Sequence, residues 1–204
     1  EWFANNITNK DIADMWIHEG FTSYAENLFL DYYHGKEAAA AYVIGTRKRI
    51  QNDRPLIGDY NVNNEGSSDI YYKGANMIHM LRQLTKDDEK WRQILRKMNS
   101  EFYHQTVTTQ QIEDFLSKEI GRDLNPFFNQ YLRDTRIPVL EYKITEGKLN
   151  YRWNNVVSGF DMPVEIAGKQ RTFWIYPRES WNAIAFVDSE IKVDINYYVK
   201  TKQL

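Results

Sequence analysis

The sequence predicts an α+β chain, helical over residues 1 to about 136 and built of short antiparallel strands over 137–204. Three observations predict it. Apolar residues in the first part recur at helical spacing, helix start and stop signals bracket them, and after Pro138 the pattern switches to alternation.

From Ile12 to Tyr33 the apolar positions are Met15, Trp16, Phe21, Tyr24, Ala25, Leu28, Phe29 and Tyr32, and Gly35 stands where a helix stops. A second helix is expected from Lys36 to Gln51, with Ala38 to Ala41 inside it and a basic turn at Arg47, Lys48 and Arg49. Asn52 to Asp69 reads as a loop, punctuated by Pro55, Gly58 and Gly66. Helical spacing resumes over Ile70 to about Leu84 and again over Asp88 to about Tyr103. Thr108 and Gln111 form a capping box for a helix that ends at Gly121. Asn125-Pro126 reads as a cap followed by a first-turn proline, opening a helix through Phe127 to Arg133.

Beyond Pro138, Leu140, Tyr142 and Ile144 share one face of a strand, and Leu149, Tyr151 and Trp153 share a face of the next. Val164 with Ile166, Phe173 with Ile175, Ile184 with Phe186, and Val193 with Ile195 repeat the alternation. Turns fit at Glu146-Gly147-Lys148 and at Gly168-Lys169. About six short strands, in an antiparallel sheet or small sandwich, follow from this spacing.

Composition narrows the function. A net charge of −2 gives no footprint for nucleic acid or an anionic membrane surface. With no cysteine, disulfides and thiolate chemistry are excluded. No apolar run approaches the ~18 residues that a bilayer demands. Aromatic residues make up 15%, enough for a ring-rich core or a groove for extended polymers. Compartment and oligomeric state are not legible.

The stretch DMWIHEGFTSYAE sets Glu19 among Trp, Ile, Phe and Tyr. On a helix Glu19 shares a face with Trp16, Ser23 and Glu26. A carboxylate there needs a cation, a donor cluster or a metal, because burying it alone is costly. A salt bridge, or a helix-edge glutamate reaching to solvent, would satisfy it equally.

EWFANN followed by WIHEGFTSYAE resembles the zinc aminopeptidases of the aminopeptidase N type, a gluzincin family that includes the leukotriene-hydrolysing enzymes. Its signature is HExxH, a Trp-Phe-Gly/Ala-Asn stretch, and a Trp-x-x-Glu-Gly-Phe helix that supplies the third zinc ligand. Trp2, Phe3, Asn5, Trp16, Gly20 and Phe21 match in register. If the second His of HExxH immediately preceded Glu1, residues 1–18 would be the spacer and Glu19 the ligand. Glu1 is not the catalytic acid of HExxH, since position 4 is Ala4 where a His would be needed. The resemblance therefore implies that both His ligands and the general base lie upstream of this chain.

A second match is Ile70-Tyr71-Tyr72-Lys73-Gly74-Ala75. In the family a Tyr-x-Lys-Gly segment opens a helix, and its Tyr donates to the oxyanion of the tetrahedral intermediate; Tyr71 is in that register. The resemblance implies the helical C-terminal lobe of a thermolysin-like catalytic domain over 1–136 and a β-sandwich-type domain over 137–204. It implies one Zn2+ per intact site and peptide substrates trimmed from the amino terminus. The chain alone is expected to be inactive and to bind zinc weakly. His18 departs from the Asn of many relatives and, as the neighbour of Glu19, points away from the metal on an ideal helix. His34, His79 and His104 fit no ligand spacing. Other readings are a peptide-binding module on a degenerate metallopeptidase fold, a helical-plus-sandwich interaction protein, and an epoxide-hydrolysing relative.

Overall fold

The computed structural model describes residues 2–169 and 171–204; Glu1 of the EWFANN stretch lies outside the described residues. The chain forms two compact units, the first ending at Thr135 and the second running Arg136–Leu204.

The first unit opens with a kinked turn, α1 (Trp2–Asn5), and a short strand, β1 (Ile7–Asn9). A 3-10 turn at Ile12–Asp14 then leads into α2 (Trp16–His34), so the regular helix starts four residues later than its apolar spacing suggested. Asp11 makes the turn by accepting from the Ala13 N–H. Gly35, with φ of 85°, ends α2, and its N–H closes on Asp31 O. The next segment is α3 (Lys36–Gly45) followed by a 3-10 turn, Thr46–Arg49, rather than one helix to Gln51. Thr46 is part of the reason: its hydroxyl donates to Val43 O at 2.6 Å and tightens the chain there.

At the centre is α4 (Tyr72–Thr85), with every residue from Lys73 to Leu81 buried. It packs on α2, on α3 and on α5 (Asp88–Glu101). Asp87 caps α5 by accepting from the Glu89 and Lys90 N–H groups. The Thr108–Gln111 capping box opens α6 (Thr109–Ile120), and Gly121, at φ 83°, closes it. In α7 (Asn125–Leu132) the expected cap is displaced: Leu124 occupies the cap position, and the Asp123 carboxylate accepts from the Asn125 N–H at 2.9 Å.

One element contradicts an all-helical first unit. β1 pairs in parallel with β2 (Gln105–Val107), Ile7 opposite Gln105 and Asn9 opposite Val107. Three-residue strands with one buried side chain each, Ile7 and Val107, carry no alternation to read.

The loop between the Thr46–Arg49 turn and α4 is tied down on both sides. The buried Asp69 carboxylate accepts from the Gln51 and Asn52 N–H groups at 2.6 to 3.1 Å. Leu56 is fully buried, and its N–H donates to Leu132 O at 2.9 Å.

In the second unit β3 (Val139–Thr145) and β4 (Lys148–Asn154) form a hairpin with Tyr142 opposite Tyr151. Glu146 and Gly147 both have positive φ, as a two-residue primed turn requires. The remaining strands are β5 (Val164–Ala167), β6 (Thr172–Ile175), β7 (Asn182–Ala185), β8 (Lys192–Val193) and β9 (Lys200–Gln203). They make two sheets, β7-β4-β3-β9 and β6-β5-β8. The core is Leu140, Leu149, Trp153, Phe160, Val164 and Ile166. The unit is not wholly antiparallel, because β9 runs parallel to β3. Its sequence, Lys-Thr-Lys-Gln, is fully exposed and has no apolar face to announce it. Phe186 and Ile195 fall outside the strands expected to hold them, and Ile195 is exposed.

Candidate functional site

The two quoted motifs meet where α2 crosses α4. A Cβ built on Gly74 would lie 3.0 Å from the Gly20 Cα, and one on Gly20 would lie 3.3 Å from Ile70 O and 3.4 Å from the Gly74 Cα. Glycine at both positions lets the two backbones touch, so the residues beside them, Glu19 and Tyr71, come within reach of each other. Gly74→Val is expected to force the helices apart and cost roughly 2–3 kcal/mol. A drop in the urea midpoint, accompanied by lost contact between Glu19 and Tyr71, checks it; an unchanged midpoint would show that the crossing has slack.

Glu19 is half-buried in the first turn of α2. No described residue forms an ion pair with it, so the salt bridge that could have explained this acid is absent among the described residues. The Tyr71 phenol lies near enough for the Glu19 charge to act on it. Burial first, then the charges of Glu19 and Glu65, push the Tyr71 phenol above its ordinary value. A phenol so placed stays protonated and remains a donor at neutral pH. Glu65 sits in the loop before α4, and nothing in the sequence marked it.

The turn that presents Glu19 is held by a buried polar chain. The Trp16 indole donates to Thr109 Oγ1 at 2.7 Å, and Thr109 Oγ1 donates to Asp14 Oδ1 at 2.6 Å. The Tyr60 hydroxyl donates to the same oxygen at 2.6 Å, and Tyr60 is pushed up to about 12 by burial and by the Asp14 carboxylate. Asp14, Thr109 and Tyr60 come from three distant segments, which is why sequence reading did not connect them. His18 turns to β1, where its Nε2 accepts the Asn9 N–H at 2.8 Å. Burial lowers its pKa, in keeping with a neutral acceptor ring. His79 is buried in α4, and His34 and His104 are exposed.

On the Tyr71 side, Asn76 joins α4 to α3 by donating to Val43 O, and it accepts from the Arg47 Nε at 2.6 Å. Lys73 is buried, and its ammonium donates to Asp134 O at 2.9 Å. Burial pushes Lys73 down to about 8, against the charges of Asp69, Asp134 and Asp53, which hold it up. Below pH 8 native and unfolded chains both carry this proton. Between about 8 and 10.5 the unfolded lysine keeps it and the native one has released it, so stability rises with pH through that window. The gain is at most roughly 3 kcal/mol. Urea midpoints between pH 8 and 9.5 should rise for the native sequence and not for Lys73→Met; parallel curves would refute this.

A cavity of about 520 Å3 adjoins Tyr71, walled by Ser23 and Glu26 of α2, by α3, and by the Thr46–Arg49 turn. Ser23 and Glu26 lie one and two turns along α2 from Glu19, on its face. The described residues contain no cluster of three or more His, Cys, Asp or Glu that could hold a metal. Among the described residues Glu19 forms no ion pair, and it is accessible in part.

Known proteins resemble this chain in sequence and in fold. The chain is 22% identical to aminopeptidase N of Lactococcus lactis subsp. lactis, over 97% of its own length and 24% of that protein's. It is 26% identical to rat aminopeptidase B, covering 56% of the chain and 19% of the relative. Against the puromycin-sensitive aminopeptidase of Caenorhabditis elegans the identity is 23%, over 69% of the chain and 16% of the relative. The chain thus spans about a quarter or less of these relatives. The crystal structure of Legionella pneumophila aminopeptidase A in complex with aspartic acid shares the fold, with a TM-score of 0.70 at 14% identity, over 98% of this chain and 25% of that one. Residues 1–131, well over half of the 204, match the peptidase family M1 domain. The chain belongs to peptidase family M1.

Proposed function

We propose that this chain is part of a zinc-dependent aminopeptidase that hydrolyses N-terminal residues from peptides, with Glu19 as the third zinc ligand and Tyr71 as the oxyanion donor. The observation that carries the reading is the meeting of Glu19 and Tyr71 across the Gly20–Gly74 crossing, in a chain of this family.

A zinc ion, when bound, polarises the scissile carbonyl and acidifies the attacking water. Glu19 would supply a carboxylate oxygen to it, and the Trp16–Thr109–Asp14 chain holds the helix turn that carries Glu19. Tyr71 stands near Glu19 and lines the adjoining cavity. As charge develops on the substrate carbonyl oxygen, the Tyr71 hydroxyl would donate a hydrogen bond to that oxygen, which a phenol does without ionising. The two remaining ligands and the general base come from HExxH in the longer protein. A single carboxylate is not a metal site, so the 204 residues by themselves are expected to be inactive and to bind zinc weakly.

The test is residue release by the longer protein from an unblocked peptide and from its N-acetylated twin. Release from the first alone, stopped by a chelator and restored by zinc, is the expected result. Binding of peptides without release, in a protein free of zinc after refolding with metal, would favour the degenerate binding module.

A further inference from the structure

The cavity beside Tyr71 has an unusual set of charges. Glu26 reaches it from α2, and its carboxylate accepts the Tyr42 hydroxyl. Lys48 and Arg49 reach it from the Thr46–Arg49 turn. The Arg49 guanidinium lies over the Tyr72 ring, 5.2 Å from its centroid, and donates through one terminal nitrogen to the Tyr72 hydroxyl at 2.6 Å. Among the described residues neither Lys48 nor Arg49 forms an ion pair with a carboxylate.

Basic residues at the rim of a cavity are often nothing more than solvated charges. Arg49 differs in being held. With its carbon 5.2 Å from the ring centroid and one N–H bonded to the hydroxyl of that ring, the guanidinium is anchored and keeps further N–H groups of its planar fork to offer a carboxylate. Lys48 adds a second point charge, so the lining carries two cations against one anion that already has a donor. The anchor is Tyr72, and Tyr71 lines the same cavity.

We propose that Arg49, assisted by Lys48, binds a carboxylate of the peptide substrate in this cavity. Two sources share that chemistry, the C-terminal carboxylate of a short peptide and an acidic side chain near the scissile bond. The inference rests on the peptidase reading and deepens it, because it makes this wall of the cleft a selector for anionic substrates.

The experiment compares trialanine with its C-terminal amide, and Ala-Glu-amide with Ala-Gln-amide, in the longer protein, alongside a neutral aminoacyl arylamide. A charge-assisted hydrogen bond predicts a kcat/KM ratio of about 10-fold or more in favour of the carboxylate. A ratio in the trialanine pair assigns the C-terminal carboxylate, and one in the Ala-Glu pair assigns the side chain. Arg49→Met should bring the ratio close to one, while Arg49→Lys, which keeps the charge and loses the fork, should retain part of it. Ratios near one in both pairs, or a ratio that survives Arg49→Met, would overturn the proposal. Failure to hydrolyse the arylamide would count against the peptidase reading instead. In that event calorimetric binding of the same four peptides decides the cavity's role by the same ratios.

Discussion

Glu19→Ala in the longer protein is expected to strip the zinc. Loss of a group that merely orients a metal ligand already costs ~10–100-fold in affinity, and loss of the ligand itself should cost more. Metal analysis of purified protein should therefore fall from about one zinc per chain to a small fraction of that, with hydrolysis falling in step. A control is Glu37→Ala, an exposed acid in the first turn of α3, which should keep its metal. The substitution has a second readout that involves no metal. In the metal-free protein, removing the Glu19 carboxylate takes away part of what raises the Tyr71 phenol, so its ionisation should move down, though burial and Glu65 keep part of the shift. Full zinc content in Glu19→Ala would remove Glu19 from the ligand set.

The second large effect is expected at Tyr71. Tyr71→Phe deletes one hydroxyl and leaves the ring at the start of α4, so folding and zinc content should hold. A preorganised oxyanion donor contributes about 3–4 kcal/mol to the transition state, or ~10²–10³ in kcat. The donor acts on charge that exists only in the transition state, so KM should change little while kcat and kcat/KM fall together. A variant that instead raised KM with kcat intact would make Tyr71 a substrate-binding group. Tyr72→Phe offers the contrast: its hydroxyl accepts from Arg49, away from Glu19, and its loss should not reproduce the drop in kcat.

Much of the fold was legible because local chemistry carried it. Gly35 and Gly121 end helices in backbone conformations that favour glycine, and the Thr108–Gln111 box opens one through its own side chains. The Glu146-Gly147 turn fixed the register of its hairpin in the same local way. The misses share a different cause. β1, β2 and β9 are too short or too exposed to show alternation, and each exists because another segment offers it a backbone ladder. In α7 the helix begins a residue earlier than the Asn-Pro signal suggested, so Leu124 takes the cap position and the Asp123 carboxylate accepts the Asn125 N–H.

For the site, the sequence by itself determined the residue types and their spacing: an acid in an aromatic helix, a tyrosine before Lys-Gly, and a glycine beside each. Only the tertiary structure decided that the two glycines touch and that the phenol therefore comes near the acid. It alone linked Asp14 to Thr109 and Trp16, and set Arg49 on Tyr72 beside the cavity. The physical reason is range. Caps, turns and helical faces depend on neighbours a few residues away, whereas a helix crossing depends on how closely two distant backbones can approach, and that is known only once both are in place.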